Sequence, residues 1–357
     1  MLISTRKSAC PLGASRGMPI PTLFLRLGLA SMLALAVIAS SGQHVRAEVK
    51  PAVVYDLGGK FDKSFNEGVW NGVKRFTDET GIDVMEFEVT NPIQREQALR
   101  RMVDRGADIV LGVGFGQADA IAKVAAENPD TNFAIIDVFW LDGDNIRQYA
   151  FKEHEGSYLV GIAAAHASKT DRVGFVGGMD IALIRKFACG YVGGVKSVNP
   201  NAVVYQNMAG TTPAAWNDPA KGKELTLSQI DRGADVVYHA AGNTGIGVIR
   251  AAADAGKLAI GVDSNQNGIV PGSVLTSMLK RVDVAAYETF IDAKNGDFSG
   301  GVRHLGIAEN GVDWALDENN ADLIDAQTKS AIEKARADIV AGRLAVHNYE
   351  TDQNCPY

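Results

Sequence analysis

Tyr55-Asp-Leu-Gly-Gly-Lys-Phe-Asp-Lys-Ser-Phe-Asn66 reads as a strand end, a tight loop and a helix start. The apolar run from Ala52 to Tyr55 has the character of a buried parallel strand. It ends on a carboxylate, Asp56, followed closely by Gly58 and Gly59. Ser64 and Glu67 have the Ser-x-x-Glu spacing of a capping box, which predicts a helix opening there with Phe65 and Asn66 in its first turn. In an open α/β sheet that turn lies at the carboxyl ends of the strands, where ligands bind. An acid, a flat aromatic face and an amide are thereby offered to one crevice, groups suited to a small molecule with a flat polar ring.

The pattern continues outward from that segment. Apolar runs at 83–88, 108–113, 132–136, 172–176, 202–206, 235–238 and 258–262 read as buried strands. Helical patterns fill 66–79, 94–105, 116–127, 155–168, 184–198, 221–232 and 245–255. Such alternation predicts an α/β protein with parallel sheets covered by helices on both faces, and the strands are too many for one compact sheet. The pattern also restarts. Asp104-Arg-Gly-Ala-Asp-Ile-Val-Leu111 and Asp231-Arg-Gly-Ala-Asp-Val-Val-Tyr238 are near copies, each a helix end with a terminating glycine running into a strand. Each leads to a glycine-rich turn, Gly112-Val-Gly-Phe-Gly116 and Ala240-Ala-Gly-Asn-Thr-Gly245. Two similar lobes facing one cleft is the simplest account; chance likeness of two αβ units competes with it.

The front of the 357-residue chain addresses it for export. Arg16 and Arg26 precede an apolar run from Leu27 to Ile38, and small residues follow up to Ala47. This is the plan of a secretory signal peptide, expected to span 1–47 with cleavage after Ala47. The run is shorter than the roughly 20 residues of a membrane span, against a retained anchor. Translation could begin at Met1 or Met18. No cysteine follows the apolar run, so a lipid anchor is not indicated, and a periplasmic location is expected. The formal net charge is −7, and residues 1–47 hold five basic and no acidic residues, so the remainder is more acidic still. A chain this acidic is a poor partner for nucleic acid or an anionic membrane. Two cysteines remain, Cys189 and Cys355. An oxidising compartment favours their pairing, while two buried thiols is the alternative that sequence leaves open.

Enzymatic signatures are weak. No Gly-x-Gly-x-x-Gly opens a helix in the required place; Gly245-Ile-Gly247 has Arg250 where the third glycine belongs. There is no Walker motif, the six histidines lack zinc spacing, and no acid cluster suggests a calcium-dependent nucleoside hydrolase. No cofactor is called for. A sugar-responsive repressor would need a helix-turn-helix where the export signal stands.

Taken together, Asp62-Lys-Ser-Phe-Asn66, Trp216-Asn-Asp218, Ala240-Ala-Gly-Asn-Thr-Gly245, Gly261-Val-Asp-Ser264 and Leu275-Thr-Ser-Met-Leu-Lys280 resemble the basic membrane protein family. These are substrate-binding proteins of ABC importers and include bacterial purine nucleoside receptors. The resemblance covers about 50 to 350. It implies a type I periplasmic-binding-protein fold: two doubly wound parallel-sheet lobes joined by crossover strands, with ligand clamped between them. The expected division is 48–154 with 281–303 for the first lobe, 155–280 with 304–349 for the second, and 350–357 as a tail. It further implies a non-enzymatic, monomeric receptor that hands a nucleoside to an inner-membrane permease. A sensor presenting sugar or nucleoside to a membrane receptor would have the same fold and site, and a nucleoside hydrolase is the enzymatic rival.

The resemblance also assigns the site. Phe65 and Phe187 match the aromatics that sandwich the base. Asp56, Asn66 and Asp137 match positions at its polar edge, Asp263 the carboxylate that holds the ribose hydroxyls, and Gly242 and Lys280 its neighbours on the sugar side. The chemistry suits these residues. Phenylalanine offers a flat face with no hydrogen bond to satisfy, and a carboxylate can accept from two adjacent hydroxyls. Each has a plainer reading. Phe65 could be core, Phe187 could serve helical burial, Asp56 and Asp137 could be caps or turn acids, and Lys280 could pair with Asp283. Asp62 and Ser64 are expected to shape the loop and the helix cap rather than touch ligand, and Asp218 with Pro219 to start a helix. Phe139 and Trp140 depart from the family pattern: they would line the pocket or pack at the hinge.

Overall fold

The computed structural model describes residues 48–357; the expected export segment and its cut after Ala47 lie outside the described residues. The first sheet contains β1 (Pro51–Tyr55), β2 (Met85–Glu88), β3 (Ile109–Gly112), β4 (Asn132–Ile136), β5 (Ile146–Phe151) and β11 (Gly301–Leu305). Its spatial order is β11-β5-β4-β3-β1-β2, and every pairing is parallel. The second contains β6 (Arg172–Met179), β7 (Val203–Gly210), β8 (Val236–Ala240), β9 (Leu258–Asp263), β10 (Val274–Lys280) and β12 (Val312–Trp314). Its order is β12-β10-β9-β8-β6-β7, parallel except for the β10–β12 edge pair. The two orders superimpose position by position, so β3 and β8, the strands of the repeated segments, occupy the same place in their sheets.

The helices are α1 (Phe65–Thr80), α2 (Gln94–Asp104), α3 (Ala118–Glu127), α4 (Glu153–Ala167), α5 (Ala182–Val198), α6 (Pro219–Asp231), α7 (Thr244–Asp254), α8 (Val282–Asn295) and α9 (Ala326–Val340). β1, β3 and β8 are buried along their whole length, as strands covered on both faces must be, and their sequences are accordingly apolar runs. As expected, α6 is capped by Asp218, whose carboxylate accepts from the Lys221 N–H at 2.9 Å, with Pro219 at the first position.

The start of α1 corrects the capping-box expectation. The Ser64 side chain makes no capping bond. The buried Asp62 carboxylate instead accepts the backbone N–H groups of Ser64, Asn66 and Glu67 at 2.9, 3.1 and 3.1 Å. Burial pushes its pKa up to about 7 against the pull of those three bonds.

The chain passes between the sheets three times: from β5 into α4, from β10 into α8, and from β11 to β12. These links are tied to one another. The Lys152 N–H donates to Leu305 O at 2.9 Å and the Arg281 N–H to Gly311 O at 2.8 Å. Glu155 accepts the Ile307 N–H at 2.8 Å.

α4 and α5 pack backbone against backbone through glycines. A Cβ on Gly194 would lie 2.0 Å from Tyr158 O, and one on Gly161 would lie 2.4 Å from Tyr191 O. Gly194→Ala is therefore expected to lower stability by about 1–3 kcal/mol, since neither backbone can yield locally. Urea unfolding should show a lower midpoint with an unchanged m-value; an unshifted midpoint would mean that the helices slide apart freely.

Candidate functional site

One pocket collects all eight residues singled out from the sequence: Asp56, Phe65, Asn66, Asp137, Phe187, Gly242, Asp263 and Lys280. They come from strand ends and helix starts of both sheets. Asp56 follows β1, Asp137 follows β4, Asp263 ends β9 and Lys280 ends β10, while Phe65 opens α1 and Phe187 sits on the first turns of α5.

The two halves contribute equivalent backbone. Asp137 and Asp263, at matching strand ends, both hold left-handed conformations, with φ of 67° and 63°. Each such position costs on the order of 1–3 kcal/mol, strain that is retained where it aims a side chain. Gly114 and Gly242, after the matching strands β3 and β8, also have positive φ, 89° and 56°. There the missing Cβ lets backbone form the pocket wall: one on Gly114 would lie 3.5 Å from both Asp56 and Phe65, and one on Gly242 would lie 3.2 Å from Trp216 O.

The acids are held by partners. Arg95, on α2, grips Asp56 at 2.8 and 3.0 Å to Oδ1 and 3.1 Å to Oδ2. Burial raises the Asp56 pKa and Arg95 draws it back. Asp56 is thus an ion-paired acceptor and not a free acid. The Asn66 amide nitrogen donates to Asp56 O and Gly59 O at 3.2 and 3.1 Å. Its buried Oδ1 has no hydrogen-bond donor among the described residues. Asp263 accepts the Ser64 hydroxyl at 2.6 Å, through one of its two oxygens. Burial raises its pKa as well, and Lys280 opposes the rise.

Lys280 is the centre of the site. Its ammonium lies 2.6 Å from Asp137 Oδ1 and 2.9 Å from Glu153 Oε1. It also lies 5.0 Å from the centroid of Phe65 and 5.6 Å from that of Phe187, close enough for both ring faces to attract the charge. Burial alone would lower its pKa, but Asp137 and Glu153 hold it above the usual lysine value. The pairing with Asp283 does not occur: Asp283 is taken by Arg281 at 2.9 Å.

Behind Lys280 lies a chain of charges invisible in the sequence. Glu153, fully buried, also meets Lys186 at 2.6 Å, and Lys186 meets Glu350 at 2.7 Å. Glu350 belongs to the C-terminal segment, which is fastened to α5 by a disulfide between Cys189 and Cys355, with Cα atoms 5.6 Å apart. Burial opposes the charge on Glu153, but Lys186 and Lys280 together hold its pKa below the usual carboxylate range. These partners lie far apart along the chain. Glu153 opens α4, ahead of the helical pattern read at 155–168, and nothing local in the sequence marks it as paired.

Two α/β lobes of equivalent topology with an aromatic-walled pocket between them make a ligand-binding architecture. Comparison with known proteins gives the family. Residues 49–348 match the Bmp family, described as ABC transporter substrate-binding protein PnrA-like, and the chain belongs to that family. It is 32% identical over 346 residues to the ABC transporter nucleoside-binding protein BmpA of Lactococcus lactis, covering 88% of this chain and 96% of that one. It is 31% identical over 290 residues to basic membrane protein D of Borreliella burgdorferi, covering 79% and 84%. A crystal structure of an ABC-transporter solute-binding protein from Aeropyrum pernix superimposes with a TM-score of 0.78 at 27% identity, covering 84% of this chain and 93% of that one. The family assigns a small-molecule ligand and an ABC permease as partner. Among the described residues no helix is long and apolar enough to cross a membrane.

Proposed function

We propose that this protein is a periplasmic receptor that captures a nucleoside, with purines favoured, and delivers it as a monomer to its permease without chemical change. The observation that carries this reading is the meeting of Phe65 from α1 and Phe187 from α5 in one pocket that also holds Asp263. A base between the two rings would satisfy both apolar faces. Asn66 Oδ1 and Asp137 would meet its polar edge. The oxygen of Asp263 left free by Ser64 would accept from the ribose hydroxyls, with Gly242 and Lys280 beside the sugar. The relative named as nucleoside-binding supports the ligand class. Among the described residues no group of three or more His, Cys, Asp or Glu side chains is placed to hold a metal ion.

Because the rings come from separate lobes, ligand would favour closure through contacts to both. Calorimetry with adenosine, inosine and guanosine is the test. At least one should bind, and Phe187→Ala should weaken it about 5- to 150-fold, the equivalent of losing one stacking contact of 1–3 kcal/mol. Equal affinity in the variant for every nucleoside would discard the sandwich.

A further inference from the structure

Phe139 and Trp140 stand exposed at the rim of the pocket, at 45% and 54% of their surface. Their presentation is built into the loop. Val138 before them is fully buried. Leu141 after them is held by the buried Gln148, whose side chain bonds both its N–H and its carbonyl at 2.8 Å. The two rings meet edge to face at 5.3 Å and 86°. Anchored on both sides, the loop has no slack with which to tuck them away.

These rings line a second, open cavity of about 310 Å³ together with Ile181 and Glu350. That is the lower end of the roughly 300–1,000 Å³ found for ligand pockets. The cavity shares Phe115, Asp137 and Leu183 with the first pocket. Phe115 adjoins Gly114, the glycine that lies against Asp56 and Phe65, while Leu183 lies on the helix that carries Phe187, so the common wall draws on both lobes. Chemically the space combines three aromatic side chains, the aliphatic Ile181, Ala182 and Leu183, and two carboxylates, Asp137 held by Lys280 and Glu350 held by Lys186.

We propose that this cavity is a subsite of the same pocket, taking an apolar or aromatic substituent carried on the polar edge of the bound base. The receptor then accepts base-substituted nucleosides beside the plain parents. The inference rests on the nucleoside reading above and adds the direction in which the ligand extends. Asp137 meets the edge that bears the substituent, and Phe139 and Trp140 pack on the group beyond it.

Calorimetry with adenosine, inosine and guanosine and their six-position benzyl derivatives (N6-benzyladenosine, O6-benzylinosine and O6-benzylguanosine) tests it. The wild type should bind at least one derivative no more weakly than its parent. Trp140→Ala and Phe139→Ala, both at exposed positions, should each weaken that derivative by about tenfold while changing the parent less than about twofold. If a parent binds and no derivative does, the subsite is refuted and the nucleoside reading stands. A derivative held equally by wild type and both variants leaves its ring in solvent and refutes the subsite too. Binding of neither kind of nucleoside removes the underlying reading and this inference with it.

Discussion

Glu153→Ala is expected to remove about 3–5 kcal/mol of folding stability, the cost of stripping one partner from a buried charge network. Glu153 is fully buried and is the only carboxylate among the described residues that pairs with both Lys186 and Lys280. Without it, two buried ammonium groups lose their shared partner, leaving Asp137 and Asp263 near Lys280 and Glu350 on Lys186. Glu153 does not line the ligand pocket, so the loss falls first on the fold. Urea unfolding of the wild type, Glu153→Ala and Glu153→Gln gives the measure. Glutamine keeps the volume and loses the charge, so it should recover packing but little of the electrostatic loss. A shift below about 1 kcal/mol in the alanine variant would show that water or rearrangement replaces the carboxylate.

The second large effect is expected from the disulfide. Cys189 and Cys355 are 166 residues apart. Closing a loop of that length restricts the unfolded chain by just over ~5 kcal/mol in the chain-entropy account, while removal of native disulfides usually costs about 2–5 kcal/mol. The double substitution Cys189→Ser and Cys355→Ser, which leaves no free thiol between them, should therefore lower the unfolding temperature markedly. Reductant should lower it in the wild type and leave the double variant unchanged. If neither substitution nor reductant moves the transition, the tail is held by its other contacts, Lys186 to Glu350 among them.

Much of this architecture could be read from the sequence because parallel strands buried on both faces leave uninterrupted apolar runs, as at Ala52–Tyr55 and Leu258–Val262. β5 escaped that reading because Arg147 and Gln148 interrupt it. Both are buried, Arg147 being matched by Asp292 at 2.8 Å and the Ser299 carbonyl at 2.9 Å. β11 and β12 are edge strands; much of β11 is exposed, and β12 is buried but only three residues long, so neither leaves a recognisable apolar run. At the site, Asp56, Phe65 and Asn66 were legible from a strand end, a loop and a helix start, whereas Asp137, Phe187, Gly242, Asp263 and Lys280 were assigned by the family resemblance. Arg95, Glu153, Lys186 and Glu350 were not legible, because each matters through a partner that only folding brings near. Ser64 shows the limit of local spacing. Its sequence fits a cap, but its hydroxyl is claimed by Asp263, 199 residues away, and Asp62 takes over the helix end.

The three connecting segments, bonded to one another and bolted by Glu153 to Lys280, have a mechanical consequence. Separate threads would let the halves twist, shear and splay; a laminated strap bends in one direction. Opening should therefore trace a single arc, and paired spin labels at several sites across the gap should all report the same rotation angle.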